Sequence, residues 1–487
     1  MIKRIAGMVA VSVVLSGAIA LYAPALTTRQ TQSDENVEPQ MTLQPAAQQV
    51  AYTIPERISA DLAGGAQDVL HPAAAYKKIF PYAASIVGWK DDGTPVYRYA
   101  IADADGEQLT QAVYTQAQRA LCGSKQVWLL TSVAADGSTQ MTCAADDGSW
   151  VIGPITGTIA VKDSCILRQL SGESVTTVYN GDGKSLGSVM GSMQSCADGV
   201  LVSEQELDGK KTWYFYDAST MAALTQIDAV QVGAFSGGSA TVQVSEGQWG
   251  AVNKKGVITL FNRVVWADEM RGGYALAKDT NGKFGVVDAT GKVVLDFTYS
   301  NGKHCSDSEA LYQLWTAQDS CEVVSVGWKN KKLVLPSDVK GQELTPLPDN
   351  YFAYTNAAGH SVIFDDLKSI ELEGEAVFYQ QNGKLIGAMS EGYQIFDLDE
   401  ETLSGLRAYA YMACDTEAAE KDGYFTIVNP VTGLQGIGNT KAKTVLRAGY
   451  DSMESVGGGY FTAVQNGWTG IIDSHGTWML RTQLAGV

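Results

Sequence analysis

The stretch Gly272–Tyr299, GGYALAKDTNGKFGVVDATGKVVLDFTY, decides the fold of this chain. It holds three short runs of apolar and β-branched residues, Tyr274–Ala277, Phe284–Val287 and Lys292–Phe297, separated by turns at Asn281-Gly282 and Asp288–Gly291. Asn-Gly supplies the positive φ that a tight hairpin turn needs. Asp288 can accept a hydrogen bond from the backbone near Gly291 and close the second turn as an Asx motif. The runs are too short and too often broken by glycine for helices. The stretch therefore reads as a three-stranded antiparallel meander, with a fourth strand available in the segment after Tyr299. One such meander cannot hide its apolar face, so neighbouring copies must stack on it.

Copies are present along the chain. Gly285-Val286-Val287-Asp288, followed by Gly291, Leu295 and Tyr299, has a counterpart 35 residues earlier in Gly250-Ala251-Val252-Asn253 with Gly256 and Leu260. Trp249 aligns with Phe284, and Gly237-Gly238 with Gly272-Gly273. Gly436-Ile437-Gly438-Asn439 repeats the phrase with Ala442 in the turn-glycine position, and Gly470-Ile471-Ile472-Asp473 repeats it again. Ile101-Ala102-Asp103 with Gly106 and Tyr114 keeps the same spacing at the other end, and weaker copies lie at Asp147, Asp182, Asp217, Asp365 and Asp397. The 370 residues from Asp103 to Asp473 hold ten steps averaging 37, hence about eleven units.

The expected fold class is all-β, built of tandem three- to four-stranded antiparallel meanders. A β-propeller of one large or two rings accounts for it best, because eleven units exceed the usual four to eight blades. An open β-solenoid is the alternative.

The phrase Gln248-Trp249-Gly250-Ala251-Val252-Asn253-Lys254-Lys255-Gly256 resembles the WG repeat found in tandem in bacterial exported proteins. Lys283-Phe284-Gly285-Val286-Val287-Asp288 fits that pattern closely, and Trp468-Thr469-Gly470-Ile471-Ile472-Asp473 fits with the Trp displaced by one residue. Good matches cover about 237–300 and 433–482. The resemblance implies a β-rich repeat body and no particular chemistry.

Charge and the N-terminus bound the partners. Fifty-three acidic against 35 basic residues leave a formal charge of −18, which repels phosphate backbones, so nucleic acid is excluded as a partner. Lys3 and Arg4 precede an uncharged apolar run from Ile5 to Tyr22. Residues 1–25 are thus expected to be a signal peptide or an N-terminal membrane anchor. Residues 26–53, rich in Gln and without an aromatic until Tyr52, read as a flexible linker, and residues 54–487 as the repeat body. The expected location is extracytoplasmic, secreted or anchored.

Seven cysteines, at 122, 143, 165, 196, 305, 321 and 414, include no C-x-x-C pair, and His71, His304, His360 and His475 are isolated in sequence, so no zinc site is indicated. Cys122 with Cys143 and Cys305 with Cys321 flank hairpins; either these couples are bridged or, as preferred here, the thiols are free in a core large enough to need no staple. Asp103-Ala104-Asp105-Gly106-Glu107 has alternate carboxylates like part of a calcium loop, but the bidentate Glu is missing and a hairpin turn explains it better. Trp128, Trp213, Trp249, Trp328 and Trp468 are read as inter-unit core ahead of sugar-stacking surface. Glu400-Glu401 and Asp365-Asp366 are sequence neighbours, which on a strand point to opposite faces and make poor catalytic couples.

No catalytic, cofactor-binding or metal-ligating residue is singled out. The expected function is an exported, non-enzymatic binding or scaffolding protein at the cell envelope, with an unknown protein or glycan partner; a carbohydrate-binding or glycoside-active propeller is the alternative. Any localised site is expected where units depart from the repeat, as between Asn301 and Cys321.

Overall fold

A computed structural model describes residue 70 and residues 78–306, 309–327, 330–414 and 416–484. The expected export segment, the linker and Trp328 lie outside these residues.

The reference stretch folds as read, with its fourth strand on the other side. Val264–Ala267 precedes Tyr274–Asp279, Phe284–Asp288 and Val293–Tyr299, and the four lie in that order in one antiparallel sheet. The segment after Tyr299 opens the next sheet instead, because the Ser300 N–H donates to the Trp315 carbonyl (2.7 Å) and hands the chain across. Inside the sheet, Phe284 opposes Tyr299 and Val286 opposes Leu295, so the outer strand is irregular around Gly285. A Cβ on Gly285 would lie 2.7 Å from the Leu295 carbonyl oxygen. The glycine of the repeat is there because the outer strand crosses too closely for any side chain.

Eight four-stranded sheets follow one another, spanning 192–228, 231–260, 264–299, 301–332, 345–371, 377–403, 410–450 and 452–483. Before them runs a continuous nine-stranded sheet that opens with β1 (Ile79–Trp89), β2 (Pro95–Asp103), β3 (Tyr114–Cys122), β4 (Lys125–Val133), β5 (Thr139–Ala145) and β6 (Val151–Lys162). β6 serves two units. Its first half pairs with β5, and from Gly157 onward it pairs with Cys165–Leu170. The long β1–β2 hairpin stands before this pair of units and touches β3 by one ladder pair, Tyr99 opposite Tyr114.

Both faces of the second and third strands of the sheets are buried, which is why those strands read as nearly continuous apolar runs, whereas the outer strands are largely exposed. On Tyr274–Asp279, Ala275 and Ala277 pack with Trp249, Ala251 and Phe261 of the preceding sheet. Leu276, pointing the other way, packs with Tyr312, Leu314 and Val324 of the following one. Apolar clusters of this kind join every sheet to its successor around the chain. The cycle then closes: Ile79, Phe80 and Tyr82 of β1 share one core with Val456, Ile471 and Leu480 of the last sheet and with Trp128, Leu130 and Ala144 of β4 and β5. The fold is a β-propeller closed as a single ring, not an open solenoid.

No strand is exchanged at the closure; every strand of the last sheet comes from residues 452–483. Side chains hold the ends together instead. Thr469 Oγ1 donates to the Ala83 carbonyl at 2.6 Å, and Arg119 on β3 reaches Asp422 at 3.1 Å. Asp422 follows a short helix, α1 (Glu417–Glu420), inserted between the first and second strands of sheet 410–450. Gln381 of the preceding sheet braces that insert by donating to the carbonyls of Ala419 and Asp422.

Candidate functional site

The same meander repeated in one sense brings the connections between first and second strands to one end of the ring. Several are two-residue turns; Gln231–Val232 and Ala410–Tyr411 are followed by longer connections, and so are Val264–Ala267, Asn301–His304 and Thr345–Pro346, whose connections 268–273, 305–310 and 347–351 lie on consecutive sheets. Asp268 stands on the first of them. Its Oδ2 is 2.8 Å from His304 Nδ1 and 3.3 Å from Arg271 Nη1, and its Oδ1 accepts the Glu269 N–H at 2.8 Å. Burial pushes the Asp268 carboxyl pKa up, but the bonds from His304 and Glu269 N–H and the Arg271 charge outweigh it and hold it below the usual carboxylate range. Arg271 is buried, also donates to the Glu269 carbonyl, and keeps its Nε without a partner.

Beside His304 in sequence opens a cleft of about 540 Å³, within the usual range for small-ligand sites. Its walls are Cys305, Ser306 and Glu309 from one unit, Pro346–Asn350 from the next and Gln380 from a third. Asp349 and Asn350 both take positive φ (55° and 63°), a pair of left-handed residues that turns the Pro348 connection back into its hairpin. Among the described residues, two carboxylates, two carboxamides and a hydroxyl line the cleft and no basic side chain does, so it suits hydroxyl-bearing or cationic groups. Burial pushes the Cys305 thiol up to about 11, which makes it a poor nucleophile.

The residues weighed from sequence find structural roles elsewhere. Asp103 accepts the N–H groups of Asp105 (3.0 Å) and Glu107 (2.8 Å), closing a turn. Asp288 does the same for Thr290 and Lys292, and Asn253 for Lys255 and Val257. Among the described residues no group of three or more His, Cys, Asp and Glu side chains is placed to hold a metal ion. Trp128, Trp213 and Trp249 are buried between sheets, and Trp468 is half-buried under the Arg481 guanidinium at 4.8 Å. Asp365 closes a turn, Asp366 pairs with Lys331 of the preceding sheet, and Glu401 pairs with Lys368.

The cysteines are free thiols. Cys143 lies opposite Leu129, which opposes Gln118, four residues along β3 from Cys122; Cys321 stands in the same offset to Cys305. Two strand spacings and four residues separate each couple, well beyond bridging distance.

Sequence reading passed over Asp268, Arg271 and His304. His304 is isolated along the chain, yet it follows Asp268 by 36 residues, about one repeat, so equivalent ends of adjacent sheets set them side by side. Ser236 with Gly272 and Tyr274 with Tyr312 meet by the same rule. A search for polar pairs one period apart would have found all three.

No family model matches the chain, and no curated protein matches its sequence. Solved structures similar to it include apo AztD from Citrobacter koseri, at 15% identity over 56% of this chain and 91% of that one, with a TM-score of 0.33. BamB from Moraxella catarrhalis is similar at 13% identity over 66% and 94%, with a TM-score of 0.27. The β-propeller domain of the Trilobed protease from Pyrococcus furiosus is similar at 12% identity over 53% and 96%, with a TM-score of 0.29. Likeness at this level carries no argument about function.

Proposed function

We propose that this propeller is an exported, non-enzymatic binding protein of the cell envelope that presents the cleft between Glu309, Asp349 and Gln380 to its partner. The observation carrying the reading is the recess that two connections of consecutive sheets, 305–310 and 347–351, build together with Gln380 of a third, lined by carboxylates and carboxamides. The WG-repeat resemblance, the apolar N-terminal run after Lys3 and Arg4, and the acidic surface support the extracytoplasmic part of the reading. No helix among the described residues is long and apolar enough to cross a membrane.

Affinity capture from the native envelope with wild-type protein and with a Glu309→Gln/Asp349→Asn variant tests it. The expected result is one polypeptide retained by wild type and lost with the variant. Turnover in a hydrolase panel, abolished by substituting a single carboxylate, overturns the non-enzymatic reading. The cleft's carboxylates and carboxamides also favour a second reading, a glycan ligand, since all of them bond hydroxyls. A glycan array on which wild type binds and the variant does not would select that reading over a protein partner.

A further inference from the structure

Cys165 and Cys196 were never neighbours in any hairpin reading, yet the ring sets them in contact. Cys165 begins the strand that pairs with the second half of β6, opposite Lys162. Cys196 lies near the end of the first strand of sheet 192–228, opposite Leu201. The two thus lie beside equivalent turns, 163–164 and 198–199, on the second strand of one unit and the first strand of the next. Cys196 packs against the cluster of Cys165, Leu167, Met193 and Leu201 that joins these sheets. Lys162 Nζ donates to the Gln194 carbonyl across the same junction, tying the two hairpins together beside the thiols. Cys165 is buried and Cys196 is half-buried, so one thiol of the pair is open to a reagent in solution.

We propose that Cys165 and Cys196 form a dithiol modification site that reacts with small disulfide compounds and closes a covalent bond between consecutive sheets. The Cys196 thiolate attacks one sulfur of the donor RSSR and releases RS⁻, leaving a mixed disulfide on Cys196. The Cys165 thiolate then attacks the Cys196 sulfur and releases the second RS⁻. The protein loses two protons and two electrons, and the donor is reduced to two RSH. The contact favours the first step: a hydrogen bond between the two sulfurs stabilises the thiolate left when the pair loses one proton, so the pair gives up that proton below the ordinary thiol range. The other thiols differ. Cys122 and Cys305 are pushed up to about 11 by burial, and Cys143 is raised further.

This inference does not depend on the binding role, and its test uses the isolated protein. Oxidised glutathione is added to the full chain under native conditions, free thiols are then alkylated, and peptides are mapped by mass spectrometry. The expected result is loss of two hydrogens from the intact mass, a cross-linked peptide joining Cys165 to Cys196, and a melting temperature raised by a few degrees and restored by dithiothreitol. Cys165→Ser is expected to keep glutathione on Cys196, and Cys414→Ser to keep the cross-link. Thermal melts of the reduced variants check that each is folded. A stable mixed disulfide on wild-type Cys196, or a cross-link dominated by another pair, overturns the proposal.

Discussion

The sheets spanning 231–299 and the closure of the ring solve the same packing problem with different means. In the first region each sheet is followed by its neighbour after a few residues, and the junction is apolar, with Trp249, Ala275 and Val287 in contact. At the closure, β1 and β3 meet residues more than 300 positions away, and a buried ion pair, a threonine-to-carbonyl bond and an inserted helix accompany the apolar core. Bringing chain ends together carries a loop-closure cost that adjacent sheets escape. Polar contacts with defined geometry also fix how the last sheet seats against the first, where apolar packing alone leaves the register open.

The largest expected effect tests the closure. Arg119 and Asp422 are 4% and 9% exposed, and Ser455 Oγ donates to the same carboxylate oxygen at 2.5 Å. Arg119→Ala leaves Asp422 buried without its counter-charge and is expected to cost about 3–5 kcal/mol, read from the urea midpoint. The paired change Arg119→Met with Asp422→Leu is expected to recover most of it. A loss below about 1 kcal/mol for Arg119→Ala would place this pair among ordinary surface ion pairs and erase the contrast.

A middle-sized effect belongs to the regular region. Gly285→Ala drives a methyl group toward the Leu295 carbonyl and the Phe297 ring, at 2.7 and 3.0 Å. The expected loss is about 1–3 kcal/mol with the ring intact, as judged by circular dichroism and sedimentation. If this variant instead unfolds at the closure first, as reported by hydrogen exchange of β1, the two regions are coupled more tightly than their contacts indicate.

The smallest effect is a pH dependence confined to the turns. Partial burial raises the Asp288 pKa, but the Thr290 hydroxyl and the N–H groups of Lys292 and Thr290 outweigh it and hold the carboxyl below its ordinary value of 3.8. The folded pKa lies below the unfolded one, so the stabilisation is complete above about pH 4 and is lost as pH falls through the folded pKa. Asp288→Asn keeps an acceptor, as Asn253 does in the equivalent turn, and is expected to cost under about 1 kcal/mol at neutral pH. Its melting temperature should also fall less than that of wild type between pH 5 and pH 3. Equal acid sensitivity of the two proteins would assign the loss to other carboxyls.

Much of this molecule is legible one hairpin at a time. Asn281-Gly282, Asp288 and Gly291 act within five residues of themselves, and the turns they announce are the turns observed. The position of the fourth strand was not legible in that way. Val264–Ala267 is short and polar-flanked, and only its pairing with Lys278 and Asp279 makes it a strand of that sheet. The candidate site was partly legible: the departure of Asn301–Cys321 from the repeat marked the place, while the partners of His304 and the lining supplied by Asp349 and Gln380 come from other units.

The sequence by itself determined that the body is a series of antiparallel meanders, because hairpin chemistry is local and recurs wherever its few residues recur. The tertiary structure alone decided that the series closes in one ring, which residues a period apart become partners, and which thiols touch. Closure depends on the angle between successive sheets, which sums the side-chain volumes at every junction and is written in no single repeat.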